Sequence, residues 1–168
     1  RFSNINEENK NLTSSDQNDE VNVFFNIEYS GIDLSGNRYI LRSEEARSKK
    51  FDQEIIEMKG VTANFYFKDD TILVIKSKLG VYNNKTLDMK FSQDIVANYN
   101  NSVLLANKAE YLNSNGSLKI SGNVKLIDAK GNLGADELFF DLKKQSLNIA
   151  SKKDNYVNTI IKLNEKKF

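Results

Sequence analysis

Histidine and cysteine, the side chains that most often shuttle protons, attack carbonyls or hold zinc, are both absent from the 168 residues. Ser-His-Asp and Cys-His catalysis are excluded, as is ligation of a metal by thiolate or imidazole. Neither a metal nor a cofactor is expected. A pair of carboxylates or a lysine is then the remaining route to chemistry. Asp69/Asp70 and Glu44/Glu45 are the candidate acid pairs, but a glycosidase needs its two acids facing each other across a substrate cleft. One pair lies in a turn-forming run and the other opens a helix-like stretch, where solvation or capping accounts for them. Arg38, Arg42, Arg47, Lys49 and Lys50 cluster after a first hairpin and suit phosphate groups; a solvated face is the simpler account. Enzymatic activity is not expected.

The balance of 24 basic against 23 acidic residues leaves a net charge of +1, so no long-range field draws a polyanion. The lysines are scattered, without the arginine and aromatic interleaving of nucleic-acid grooves, and no nucleic-acid partner is expected. No apolar run reaches the ~18 residues that span a bilayer. At 39% hydrophobic and 28% charged the chain has the composition of one globular domain. Residues 1–20 are polar apart from Phe2, Ile5 and Leu12, which predicts a flexible leader. The domain is expected over 21–163, with a tail at 164–168.

What must position any site is a repeated strand unit. Tyr82, Tyr111 and Phe140 recur every 29 residues, as do Ser77, Ala106 and Ala135, and Leu118/Ile120 recur as Leu147/Ile149. Alternation with period two inside each unit predicts antiparallel strands, and the turns carry Asn, Gly, Asp or Lys. In Ser117–Asp128 the residues Leu118, Ile120, Val124 and Leu126 share one face, and Lys119, Ser121, Asn123 and Lys125 the other. The fold class is all-β, with two sheets facing each other over a core. The inward set is Tyr39, Leu41, Leu73, Ile75, Leu87, Met89, Leu104, Leu118, Ile120, Leu147 and Ile149. Good helix formers at Glu44–Arg47 and Lys49 predict one short helix near 43–50. Gly36 and Gly131 are expected in turns, supporting the sheet edges.

The run YSGIDLSGNRYILRSEEA, then IIEMKGVTANFYF, TILVIKSKLGVYNNKTLDM and LKISGNVKLIDAKGNLGADELFFD, resembles the OstA-type domain of lipopolysaccharide transport, and most of all the LptC family. The likeness rests on Gly31, Asp33, Gly36 and Tyr39; on Ser77, Gly80, Tyr82, Leu87 and Met89; and on Lys130–Asp136. The resemblance implies an open β-jellyroll whose apolar groove carries lipid A acyl chains. It implies an inner-membrane ABC transporter as donor, pairing edge to edge through its periplasmic domains. It implies an LptA-like bridge protein as acceptor at a C-terminal edge strand. It also implies a periplasmic protein tethered to the inner membrane by an N-terminal helix absent from this chain; an LptA-like soluble relative is the other possibility. Copies of the chain are expected to self-associate through the same edges at high concentration.

Two further accounts stay open at this level. The inward stripe is the core of any sandwich, so the chain could be a packed β-scaffold acting only through strand pairing. Small residues at Ser77, Gly80, Ala106, Ala109 and Ala135 suit either a groove or close packing. Lys143, Lys144, Lys152 and Lys153 flank the last strands as guards against promiscuous edge pairing, or as the border of a specific docking edge.

Overall fold

Residues 20–150 and 159–162 are described by a computed structural model of the protein; the expected leader, up to residue 19, and the tail at 164–168 lie outside them. Among the described residues every element is a strand and none is a helix. No helix there is long and apolar enough to cross a membrane. The order is β1 (Val21–Ile32), β2 (Arg38–Lys49), β3 (Asp52–Tyr66), β4 (Ile72–Asn83), β5 (Met89–Tyr99), β6 (Ser102–Leu112), β7 (Ser117–Asp128), β8 (Gly131–Asp141), β9 (Ser146–Ala150) and β10 (Thr159–Lys162). They form one antiparallel meander in which each strand pairs with its neighbours in sequence.

The meander folds over itself along a line of left-handed residues. Asn26 on β1, Gly60 on β3, Gln93 and Asp94 on β5, and Gly122 and Asn123 on β7 all have positive φ, from 49° to 80°. At the same level the register slips between Lys76/Leu79, Ser92/Ile95, Leu105/Lys108 and Ser121/Val124. Bulges of this kind bend strands and increase their twist. Each long strand therefore contributes one half to each of two facing layers. The two expected sheets are the two halves of one folded sheet.

Aromatic rings join the layers. Tyr29 on β1 meets Tyr82 on β4 at 5.0 Å between ring centroids. Phe65 on β3 meets Tyr111 on β6 at 5.1 Å, and Tyr99 on β5 meets Phe140 on β8 at 5.5 Å. In each pair the second strand comes three places later in the chain. The 29-residue period is thus one hairpin unit, and Tyr82, Tyr111 and Phe140 are the same position in successive units, pressed into the opposite layer.

The short helix expected near 43–50 is not formed; β2 runs unbroken to Lys49. Ser43, Ala46 and Ser48 are buried and Glu44 and Arg47 exposed, so the alternation changes phase at Glu44, on the fold line. That slip erased the period-two signal and left only the helix propensity, which pairing to β1 and β3 overrides.

Candidate functional site

Ten of the eleven inward residues expected from sequence are buried: Tyr39, Leu41, Leu73, Ile75, Met89, Leu104, Leu118, Ile120, Leu147 and Ile149 are each at most 8% exposed. Leu87 departs from the pattern. It lies in the turn before β5, in a left-handed conformation with φ 64°, and only partly packs against the core. Its neighbour Asp88 is half-buried, and its carboxylate accepts the Asn113 N–H at 2.8 Å.

The middle of the interior is filled. Tyr39, Phe65, Tyr82 and Tyr111 are almost wholly excluded from solvent, and the hydroxyls of Tyr39 and Tyr82 share a hydrogen bond of 3.2 Å. The Tyr111 hydroxyl donates to Asn113 Oδ1 at 3.2 Å. Burial raises the pKa of every phenol here, pushing Tyr29 up to about 12 and Tyr39, Tyr82 and Tyr111 upward as well. These phenols stay neutral and act as packing with polar tips.

Toward the C-terminal strands the layers part. A narrow recess of about 40 Å³, open to solvent, lies between them. Leu73, Ala97, Tyr99, Ser102, Leu104 and Leu126 line one layer, and Leu118, Ile120, Phe140 and Leu147 the other. Its surface is almost entirely hydrocarbon, which suits an alkyl chain and offers no directional chemistry. Five of the sequence-expected residues belong to this wall. Ala97, Tyr99 and Ser102 were not foreseen; they lie at the end of β5 and the start of β6, on either side of a turn.

The other candidates are spent on the outer surface. Arg42 pairs with Glu28 at 2.8 Å, Arg47 with Glu45 at 2.6 Å, and Lys50 with Glu20. The Arg38 guanidinium stacks on the Tyr66 ring at 4.6 Å. Hydrogen bonding from Arg47, with help from Lys59, lowers the Glu45 pKa. Asp69 accepts from the Thr71 hydroxyl at 2.5 Å and its N–H at 3.1 Å. Among the described residues no three acidic, His or Cys side chains gather as a metal site would require. Gly36 and Gly131 have positive φ of 81° and 141°, Gly36 in the β1–β2 turn and Gly131 at the start of β8.

Fold and interior define the class: an open β-jellyroll made of one folded meander, with an apolar interior. The model of the LptC family, described as lipopolysaccharide-assembly, LptC-related, matches residues 2–156. The chain belongs to that family, a component of lipopolysaccharide transport associated with the periplasm and the inner membrane. No curated protein matches the chain.

Proposed function

We propose that the chain carries lipid A acyl chains in its apolar interior and passes lipopolysaccharide from an inner-membrane ABC transporter to a periplasmic bridge protein. The observation behind this proposal is the hydrocarbon-lined recess between the layers. Each methylene buried there contributes about 0.8 kcal/mol, so the recess favours an alkyl segment without any specific polar contact. Leu73, Leu104, Leu118, Ile120 and Leu147 form the wall. Tyr39, Leu41, Ile75, Met89 and Ile149 continue the apolar stripe along the same interior, and Leu87, in the turn before β5, borders it. The protein is a binding and transfer module with no catalytic step, tethered at the inner membrane. The donor's periplasmic domains and the LptA-like bridge pair with the edge strands of the meander, whose backbone N–H and C=O groups can accept a further strand. Gly36 and Gly131 support the adjoining turns.

A packed scaffold working only through edge pairing is the second account, favoured by the filled centre around Tyr39, Tyr82 and Tyr111. A photo-crosslinking amino acid at Leu126, on the recess wall, and separately at the exposed Lys125 separates the two in cells that make lipopolysaccharide. Transport through the interior gives adducts with lipopolysaccharide at 126 and not at 125. No adduct at either position leaves the scaffold.

A further inference from the structure

The two layers are joined on one side by the fold line, and on the other by contacts between turns. The β3–β4 turn of one layer meets the β8–β9 turn of the other through Gln145, which is itself left-handed with φ 49°. Gln145 Oε1 accepts from the Tyr99 hydroxyl at 2.5 Å and, at 3.2 Å, takes the weaker branch of the Thr71 hydroxyl bond shared with Asp69. The same amide hydrogen-bonds the Asp69 carboxylate, adding to the stronger bonds from Thr71 that lower the Asp69 pKa. Three side chains of one rim therefore converge on one side chain of the other. Farther along the seam, Ser35 of the β1–β2 turn approaches Gly116 of the β6–β7 turn, its Oγ only 3.4 Å from where a Cβ would stand. Tyr99 belongs both to this closure and to the recess wall.

An amphiphile held in the interior keeps its headgroup in water, so the link between headgroup and chain must cross a rim-to-rim seam. A seam closed by side-chain hydrogen bonds has to part before such a cargo can seat or slide. We infer that Gln145 is a latch: its contacts with Thr71, Tyr99 and Asp69 close the seam beside the recess, and their release admits the acyl chain, with the fold line as hinge. This inference rests on the acyl-chain function proposed above. Gln145 positions the rims and need not touch the cargo.

The chain has no cysteine, so thiols can be placed at will. The double variant Thr71→Cys/Gln145→Cys lacks the latch when reduced and is locked shut when bridged by a short bis-maleimide. The probe is cis-parinaric acid, whose fluorescence rises in an apolar site, followed by stopped flow. The reduced variant, and Gln145→Ala alone, should take up the probe about tenfold faster than wild type, the factor that corresponds to ~1.4 kcal/mol of lost hydrogen bonding. The bridged form should take it up at least tenfold more slowly. A control bridge at Lys90→Cys/Glu110→Cys, a directly opposed outer pair, should leave uptake unchanged, and thermal unfolding establishes that each variant is folded. Equal uptake by bridged and reduced protein would overturn the latch and leave the recess intact. Failure of every form, wild type included, to take up the probe would overturn the acyl-chain function and the latch with it.

Discussion

Gly60 offers the sharpest test of the fold line. It has φ +61°, and a Cβ built there would fall 2.5 Å from the Glu44 Cδ and 2.7 Å from its Oε2. Those atoms are the far end of an exposed, flexible side chain, so Glu44 can swing away at little cost. What remains is backbone conformation: a left-handed alanine costs roughly 1–2 kcal/mol. For a domain of this size each kcal/mol lowers the melting temperature by about 2–4 °C. Gly60→Ala should therefore melt roughly 2–8 °C below wild type. Gly60→Asn should lose less, because asparagine tolerates this conformation. Gly60→Val should lose more than Ala. Differential scanning calorimetry on the three variants, with Glu44→Ala/Gly60→Ala as control, reads the series directly. If removing the Glu44 side chain restored the alanine variant to wild-type stability, steric crowding would be the cause. An alanine variant that melts with wild type, or an asparagine variant that melts below the alanine variant, would refute the claim that the bend needs left-handed backbone here.

Two more outcomes follow from the buried phenols. Tyr82→Phe strands the Tyr39 hydroxyl in the core and should cost about 1–3 kcal/mol, whereas Tyr39→Phe/Tyr82→Phe should cost clearly less than the single change, because no donor or acceptor is left unpaired; urea titration of the variants compares them. Phenols whose pKa is raised in the fold contribute stability that is complete below the unfolded value near 10. That contribution is lost as pH climbs through the folded value, about 12 for Tyr29. Denaturant midpoints should thus be unaffected by these groups up to pH ~10 and fall between about 10 and 12, and a flat profile across that window would show that the phenols are not held neutral by burial.

The repeat made the fold legible. Tyr82, Tyr111 and Phe140 kept their spacing through three units, and Leu118, Ile120, Val124 and Leu126 kept one parity across the bulge at Gly122 and Asn123, because the change of phase falls instead on β6, between Ala106 and Ala109. The fold line itself was opaque. Its left-handed positions include Asn26, Gln93 and Asp94, which lie inside strands and interrupt their alternation. At Glu44 a phase change left only propensity to go on, and propensity pointed to a helix. Leu87 was drawn inward by extending the alternation of Met89 and Phe91 back through a turn. Of the recess, the walls from long alternating runs were visible, but Tyr99 and Ser102 flank the β5–β6 turn, where alternation ends. The rims joined by Gln145 could not be read at all, because Thr71 and Gln145 are brought together only by folding the sheet over.

The three-strand offset between contacting layers bears on how the molecule can be assembled. β1 meets the ring of Tyr82 on β4, so a hairpin of β1 and β2 alone lacks that cover for its inner side. The shortest stretch that contains both a strand and its cover is four strands, Val21–Asn83. Each later hairpin then closes on a surface already built. The same offset recurs from β3 to β6 and from β5 to β8, so growth can begin at any such stretch, and lengthening the meander takes one more hairpin and leaves its cross-section as it was.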